Sequence, residues 1–294
     1  GVRYKRYRQT AFGDVLELQF GVTRSKRKPV LLLGHLDTVW PLGTLATMPW
    51  RKEKGRYWGP GVFDMKAGLA YYQEMFRALK SNFPHVHIKA LTAVEIAHVA
   101  RIEKMTWRDV LIALREAGLD TMPGGGAETF SAAVREQIAG KKLAGADYIG
   151  VHRTAHELGI RTNCTMLYGH VESLEDRVEH LMMLRNLQDE TGGFLAYIPL
   201  AYHPDGNALG KELGREGTAT SGVDDLKMLA VGRLFLDNFR HIKSHWIMVS
   251  TPLSQLSLHF GVNDLEGTVV REKIYHAVGA HTPQGMTLDG LLAL

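Results

Sequence analysis

From residue 83 onward, short apolar segments alternate with amphipathic segments at intervals of roughly 30 to 40 residues. The apolar segments predict strands at 87–94, 119–122, 161–167, 194–200 and 245–249, with a weaker candidate near 255–260. The amphipathic segments predict helices after Thr106 and at 129–139, 144–158, 174–190 and 224–239. Such alternation requires parallel strands joined by crossover helices, so the predicted fold class is α/β.

Polar or glycine-rich groups follow the predicted strands. They are Thr92 with Glu95 and the segments 124–128, 168–172 and 202–205. In a parallel barrel the carboxyl ends of all strands meet at one mouth, where ligands bind. A complete barrel has about eight strands, and the sequence predicts fewer. We therefore expect an incomplete (β/α) barrel that lacks its first strands.

The composition narrows the class of protein. The chain has 294 residues, of which 45% are apolar and 22% are charged. These values are typical of globular proteins and argue against a disordered, collagen-like or coiled-coil chain. Because no apolar run approaches the ~18 residues that span a bilayer, we expect a cytoplasmic protein without a membrane partner. The chain contains one cysteine, Cys164, whereas an iron-sulfur cluster normally needs three or four thiolates.

The first 30 residues are strongly basic, with eight Lys or Arg against two Asp or Glu. A nucleic-acid-binding arm could have this charge. However, residues 15–20 alternate like a strand and residues 25–29 have the composition of a turn. The sequence therefore favours a solvated hairpin over a nucleic-acid partner.

A metal-site pattern follows the buried strand predicted at 29–34. His35 and Asp37 lie two residues apart, and Asp64 comes 27 residues after Asp37 in a glycine-rich turn. Imidazole and carboxylate groups are ligands of Zn²⁺, and a bridging carboxylate can hold two such ions. In this order and spacing, the motifs of residues 1–69 resemble the dizinc exopeptidase and deacylase family that includes carboxypeptidase G. The resemblance implies that His35 binds one zinc, Asp64 bridges both, and Asp37 orients His35. The family's remaining ligands have no counterpart downstream, so the half-site is expected to bind no metal in this chain alone.

The rest of the chain, residues 70–294, resembles a different family. The matching segments are 71–84, 87–96, 122–128, 152–156, 165–172, 187–194 and 237–239. They resemble the radical S-adenosylmethionine enzymes of the futalosine pathway of menaquinone biosynthesis. Residues 89–95 and 198–204 are most similar to the aminodeoxyfutalosine synthase family within that group.

This resemblance implies S-adenosylmethionine and a 4Fe-4S cluster as cofactors. It further implies addition of an adenosyl radical to 3-(1-carboxyvinyloxy)benzoate. Gly169 would let the backbone approach adenine, and Ile198 and Leu200 would pack on its face. Acidic residues at the mouth would accept hydrogen bonds from ribose hydroxyls or an ammonium group; the candidates are Glu95, Glu128 and Glu172.

One departure from this family concerns the cluster. The family carries a Cys-x3-Cys-x2-Cys loop upstream of the position of residue 70, where this chain has peptidase-like sequence. We therefore predict a transferase-like fold that has no radical activity by itself. The alternatives are a zinc-dependent peptidase or deacylase that another chain completes, and a non-catalytic or vestigial fusion product.

Several smaller features have structural interpretations. His152 and His156 lie four residues apart on one helical face, but the further ligands of a zinc site are absent, so we expect packing or a surface helix. Cys164 is expected to be a small buried residue. Gly124 to Gly126 is expected to form a tight turn, and Asp224 with Asp225 is expected to cap a helix.

Overall fold

The computed structural model describes residues 66–140, 142–214, 220–277 and 279–294, together with the strand residues 3–7, 15–19, 51–53 and 56–58. The chain divides into two units, Gly1–Val62 and Phe63–Leu294. The predicted join near residues 69 to 71 lies inside a helix that runs from Lys66 to Asn82. As a boundary between two ancestral sequences, this join stays a prediction.

The first unit contains two antiparallel strand pairs. Strand β1 (Arg3–Tyr7) pairs with β2 (Val15–Gln19), and β3 (Arg51–Glu53) pairs with β4 (Arg56–Trp58). Strand β2 confirms the strand predicted from the alternation after residue 15. The predicted turn at 25–29, the predicted strand at 29–34 and the zinc candidates His35, Asp37 and Asp64 lie outside the described residues.

The second unit alternates helices and strands. Its elements in chain order are α1 Lys66–Asn82, α2 Ala93–Glu103, α3 Trp107–Ala117, β5 Thr121–Met122, α4 Ala132–Ala139, α5 Gly145–Glu157, β6 Arg161–Tyr168, α6 Leu174–Thr191, β7 Phe194–Ala201, α7 Ala208–Glu212, α8 Gly222–Phe235, β8 His241–Ser244, α9 Trp246–Val249, α10 Thr251–Ser257, β9 Asp264–Leu265, α11 Ile274–Ala277 and α12 Leu288–Leu292. No helix in these described ranges is long and apolar enough to span a membrane.

The strands of the second unit form one parallel sheet in the order β5-β6-β7-β8-β9. Each strand therefore pairs with the next one in the chain, and the intervening helices are crossover connections. This arrangement confirms the predicted α/β class with parallel strands.

Side-chain caps explain why several helices begin where they do. The hydroxyls of Thr92, Thr106 and Ser173 accept the backbone N–H three residues on, and the acidic residue at that position bonds back to the cap. These capping boxes satisfy N–H groups that have no partner inside the helix. The helix start predicted at Thr106 is confirmed. Helix α8 is capped by Ser221 rather than by Asp224 or Asp225, which lie in its first turn.

The helix-covered face of the sheet forms the core. It carries fully or almost fully buried residues: the alternate residues Cys164, Met166 and Tyr168 of β6, and Phe194 and Tyr197 of β7, which a register shift after Thr162 brings to the same face. Burying large apolar side chains of this kind stabilises the fold by roughly 1.5 to 3 kcal/mol each. The opposite side of the sheet, which we call the inner face, carries the intervening residues.

Three predicted strands differ from the structure. In the segment 87–94, only Lys89 forms a β-bridge, and α2 begins at Ala93 because the Thr92 cap starts a helix. In the segment 245–249, the strand ends earlier, at Ser244, and Trp246–Val249 forms a helix. The segment 255–260 continues α10 into a 3₁₀ turn, and β9 follows it. A short apolar run has the same pattern in a buried strand and in a buried helix, so periodicity could not separate them.

Candidate functional site

The candidate site is the inner face of the parallel sheet together with the loops at the carboxyl ends of its strands. In open and closed parallel sheets alike, ligands bind at this edge because the loops there can vary without disturbing the core. The loops begin after Met122, Tyr168, Ala201, Ser244 and Leu265.

The inner face has an apolar centre. The parallel register sets Ile198 opposite Thr165 and Leu200 opposite Leu167. Ile198 is 7% exposed, and Leu200 is half-buried. The two residues that the sequence proposed for adenine packing therefore share one face, two positions apart on β7.

Charged side chains accompany the outer strands of this sheet. Lys89 forms a parallel bridge with Thr121 of β5, and its pKa is lowered first by burial and then by the charge of Lys243 on β8.

The loop after β6 is held by Glu172. Its carboxylate accepts hydrogen bonds from the backbone N–H groups of Gly169 at 2.5 Å and His170 at 2.8 Å. Arg177 donates to the same carboxylate from Nε at 2.9 Å and from Nη2 at 2.7 Å. The Glu172 side chain is only 1% exposed. These contacts assign Glu172 a positioning role in the loop, and its predicted contact with a cofactor stays a prediction.

Gly169 and His170 occupy the same loop. Gly169 has a φ of 87°, and a Cβ there would lie 2.3 Å from Cγ2 of Thr220, so glycine is required. Nδ1 of His170 accepts the N–H of Val171 at 2.8 Å, while Nε2 lies 3.1 Å from the carbonyl of Leu167. This pattern fits a neutral imidazole, and burial lowers the pKa of His170. The approach of Nδ1 to Glu172 at 3.1 Å is therefore not an ion pair.

The loop after β5 is a tight turn, as the glycine run predicted. The carbonyl of Gly124 accepts hydrogen bonds of 2.7 Å from the hydroxyls of both Tyr148 and Thr165. Glu128 follows with a φ of 49°, and its carboxylate forms a 2.6 Å ion pair with Lys142. The backbone carbonyl of Glu128 accepts the N–H of Leu167 at 2.8 Å. Glu128 thus lies at the mouth edge and is attached to β6.

Glu95 occupies the start of α2. Its carboxylate accepts the N–H of Thr92 at 2.7 Å and the Thr92 hydroxyl at 2.8 Å, while the side chain remains exposed. The Thr92 loop contacts the glycine turn, since a Cβ on Gly125 would lie 3.3 Å from Cγ2 of Thr92. The structure therefore joins the loops of Glu95 and Glu128, whereas Gly169 and Glu172 form a separate loop.

The histidine pair has the packing role that the sequence predicted. Nδ1 of His152 and Nε2 of His156 both lie 2.8 Å from the hydroxyl of Thr162. Burial lowers the pKa of His152 to about 3 and that of His156 to about 4. Within the described ranges, no group of three or more His, Cys, Asp or Glu side chains could hold a metal ion.

Cys164 lies on the helix-covered face of β6. It is 0% exposed, and its thiol approaches the carbonyl of Ala196 at 3.7 Å. Burial raises the pKa of this thiol, which disfavours the thiolate that metals require. The residue is therefore the small buried group that we expected.

Sequence reasoning missed the charged residues of the inner face. Lys243 lies 3.4 Å from Asp264 and 3.9 Å from Glu266, and Lys89 lies near all three charges. Side chains alternate between the two faces along β8 and β9. This alternation would have pointed to Lys243 and Asp264 if the strand predicted at 245–249 had been placed four residues earlier.

Two families match this chain. The CofH/MqnC C-terminal region matches residues 191–291, and Peptidase family M20/M25/M40 matches residues 31–95. The peptidase match precedes the CofH/MqnC match along the chain, which is the order that the sequence predicted. The two matches therefore confirm the predicted chimera. The peptidase match continues past residue 69 into helix α2.

Curated relatives cover most of the chain. An aminodeoxyfutalosine synthase of Thermus thermophilus is 50% identical over 259 residues, which cover 85% of this chain and 68% of the relative. An aminodeoxyfutalosine synthase of Streptomyces coelicolor is 43% identical, over 76% of this chain and 59% of the relative. A 5-amino-6-(D-ribitylamino)uracil--L-tyrosine 4-hydroxyphenyl transferase 1 of Methanosarcina acetivorans is 41% identical, over 77% of this chain and 61% of the relative. The chain thus spans between 59% and 68% of the length of these relatives.

Proposed function

The chain belongs to the aminodeoxyfutalosine synthase family, and from this premise we propose that it forms a partial radical S-adenosylmethionine barrel. In this proposal the chain keeps a ligand-binding face but cannot assemble the iron-sulfur cluster by itself. The parallel sheet, in which each strand pairs with the next one along the chain, supports the barrel. The expected substrate class is the one that the family resemblance implies, a 3-(1-carboxyvinyloxy)benzoate.

One observation carries the ligand-binding part of the proposal. Ile198 and Leu200 lie two residues apart on β7 and so share the inner face, opposite Thr165 and Leu167 of β6, the strand that leads into the Gly169 loop. A flat apolar surface near a glycine turn fits the adenine of S-adenosylmethionine, because the ring stacks on apolar side chains and the backbone can approach it. When bound, this cofactor supplies the adenosyl group.

Three acidic side chains in the described part of the chain would contribute to binding that cofactor. Glu172 fixes the Gly169 loop by accepting hydrogen bonds from two backbone N–H groups and from Arg177. The loop therefore has its conformation before a ligand binds. Glu95 and Glu128 lie at the mouth with carboxylates that could accept hydroxyl or ammonium donors. Glu95 already bonds to Thr92, and Glu128 to Lys142, so a ligand would have to share or replace these partners.

The residues of the chain do not fit the cluster. Three thiolates are needed to hold a radical enzyme's cluster, and the sequence contains one cysteine. That cysteine, Cys164, is buried within the sheet on the face opposite Ile198. We therefore assign no radical step to this chain alone.

Binding and iron measurements on the full chain test the proposal. Isothermal titration should detect S-adenosylmethionine binding to the wild type, and Ile198→Asp should weaken it at least tenfold by placing a charge against the adenine. The matched control is Val178→Asp, on the exposed face of α6, which should leave the affinity within twofold. After anaerobic reconstitution we expect less than one bound iron per chain. A content of about three to four irons, or failure of the wild type to bind the cofactor, contradicts the proposal.

A second candidate function is a zinc-dependent peptidase or deacylase, which the match to Peptidase family M20/M25/M40 over residues 31–95 favours. In that case His35 and Asp64 would bind zinc, and Asp37 would orient His35. About two zinc ions per chain after dialysis against zinc would support this function, since two metals define such sites. Absence of both zinc and S-adenosylmethionine binding would instead indicate a non-catalytic fusion product.

A further inference from the structure

A buried arginine holds the backbone on both sides of Glu128. Arg135 lies in helix α4 and is only 5% exposed. Its Nη1 donates hydrogen bonds to the carbonyl of Ala127 and, at 2.9 Å, to the carbonyl of Thr129. These two residues flank Glu128 in the loop after β5. The guanidinium therefore fixes the loop just before and just after the carboxylate-bearing residue.

The same arginine also holds the segment that carries the partner of Glu128. Its Nη2 donates to the carbonyl of Leu143, close to the start of α5. The neighbouring residue, Lys142, forms the 2.6 Å ion pair with Glu128. Arg135 thus fixes the backbone that carries the carboxylate and the backbone that carries its counter-charge.

The conformation of Glu128 requires such support. Its φ of 49° lies in the left-handed region, which residues with a Cβ adopt rarely and keep only where the surrounding structure holds them. One hold comes from β6, because the carbonyl of Glu128 accepts the N–H of Leu167 at 2.8 Å. The bonds of Arg135 to Ala127 and Thr129 supply the others.

A buried guanidinium suits this role. Burial of a charged group is unfavourable unless hydrogen bonds or a counter-charge compensate it, and the planar fork of arginine can donate to several carbonyls at once. Burial lowers the pKa of Arg135, and the carboxylate of Glu128 opposes that shift. The Glu128 side chain is 17% exposed, whereas that of Lys142 is 50% exposed. Of the two paired groups, the ammonium of Lys142 is therefore the one that can move aside.

We propose that Arg135 is a positioning residue that presents the carboxylate of Glu128 to a hydroxyl or ammonium donor of the ligand, which displaces Lys142. Arg135 touches no ligand and acts only through the backbone on either side of Glu128. The proposal rests on the proposed function for the identity of the ligand, S-adenosylmethionine. Its structural part, the hold of Arg135 on the loop, can be measured without any ligand.

Exchange of single backbone amides, measured by NMR on the full chain, tests that structural part. The reporter is the N–H of Leu167, which the carbonyl of Glu128 accepts. The reference is the N–H of Thr162, at the other end of β6, which donates to the carbonyl of Gly193 at 3.1 Å. In Arg135→Gln, exchange at Leu167 should rise about tenfold relative to Thr162, because hydrogen bonds from a charged donor are lost. Arg135→Lys should change the ratio in the same direction but less, since its ammonium still donates.

Arg233→Gln is the matched control. Arg233 also donates from a partly buried guanidinium to two carbonyls, those of Gly261 at 2.7 Å and Phe239 at 3.0 Å. Both acceptors lie before the amino ends of their strands, at the edge of the sheet opposite the mouth. The variant removes the same kind of contact there and should leave the exchange ratio of Leu167 to Thr162 within about twofold of the wild type.

Isothermal titration with S-adenosylmethionine tests whether Arg135 acts through Glu128. Arg135→Gln and Glu128→Gln should each weaken binding about tenfold. The double variant should bind within about twofold of Glu128→Gln, because the arginine then has no carboxylate left to position. Arg233→Gln should stay within about twofold of the wild type.

Two results overturn the proposal: an unchanged exchange ratio in Arg135→Gln, or losses of affinity that multiply in the double variant. Thermal unfolding verifies that each variant is folded, and Arg135→Lys takes the place of Arg135→Gln in both measurements if the latter is unfolded. Failure of the wild type to bind S-adenosylmethionine refutes the proposed function, whereas the exchange ratio still decides whether Arg135 holds the loop.

Discussion

The hydroxyl of Tyr168 donates a hydrogen bond of 2.7 Å to Oδ1 of Asp225, joining strand β6 to helix α8 in the buried layer. Burial raises the pKa of Asp225, while Tyr168 and Thr220 lower it by hydrogen bonding. The carboxylate thus depends on these donors for its charged form. Because β6 leads directly into the Gly169 loop, this bond also fixes the carboxyl end of the strand.

Tyr168→Phe should destabilise the protein by about 1 to 3 kcal/mol, because it removes a donor from a buried carboxylate. Denaturant unfolding at pH 7.5 measures the change in the free energy of unfolding. Tyr71→Phe is the control, since Tyr71 is 39% exposed, and it should change stability by less than about 0.5 kcal/mol. Equal effects of the two variants would mean that the bond to Asp225 contributes nothing to stability.

Acid should destabilise the protein through its buried histidines. Burial lowers the pKa of His152 to about 3 and that of His156 to about 4, from 6.5. Below pH 6.5 the unfolded chain binds protons that the folded chain excludes, so stability is fully present above pH 6.5 and falls as the pH decreases toward 4. The loss should approach about 1.4 kcal/mol per pH unit for each histidine.

Unfolding curves between pH 7.5 and 4.5 measure this loss. His156→Gln should reduce the slope of stability against pH, because one of the groups that bind protons only in the unfolded chain is removed. His85→Gln, at an exposed position, should leave the slope unchanged. If wild type and His156→Gln keep parallel profiles, the imidazole of His156 is not neutral in the folded protein.

The turn after β5 should not tolerate a side chain at its first glycine. A Cβ on Gly124 would lie 2.6 Å from Cα of Cys164, and backbone atoms of a central strand cannot move aside cheaply. Gly124→Ala should therefore cost about 2 kcal/mol or more. Gly267→Ala meets no atom within 4 Å and should be nearly neutral. Comparable stability of both variants, measured by denaturant unfolding, would contradict the close packing of this turn.

The sequence predicted the parts of the fold whose signals are local. Strands β6 and β7 and the cap at Thr106 follow from apolar runs and from the position of an acidic residue three residues on. The strand predicted at 245–249 was wrong because Trp246–Val249 forms a buried helical turn, and an apolar run has the same pattern in a buried turn as in a buried strand.

For the candidate site, Glu172 and Gly169 were found from a motif. The role of Glu172 in holding the loop was not, because it depends on Arg177, five residues on, and on backbone geometry. The ion pairs of Lys243 with Asp264 and Glu266 escaped prediction because they join two neighbouring strands about twenty residues apart in the chain, and no local sequence spacing reports that pairing.

Replacement of Glu172 should disturb ligand binding and stability together. Glu172→Ala would leave the guanidinium of Arg177 and two backbone N–H groups without their acceptor in a loop where the carboxylate is 1% exposed. Loss of one partner of a buried charged pair typically costs about 3 to 5 kcal/mol, and the partial exposure of Arg177 reduces the expected cost to about 2 kcal/mol.

Because the Gly169 loop would then lose its fixed conformation, S-adenosylmethionine affinity should fall at least tenfold in Glu172→Ala, measured by titration below the unfolding temperature of the variant. Glu175→Ala, in the exposed first turn of α6, is the matched control and should change neither quantity appreciably. Glu172→Gln separates positioning from charge: it keeps an acceptor for the N–H groups but weakens the pair with Arg177. It should retain more affinity than Glu172→Ala if the loop geometry matters most. Equal loss of affinity in both variants would instead indicate that the ligand requires the carboxylate charge itself.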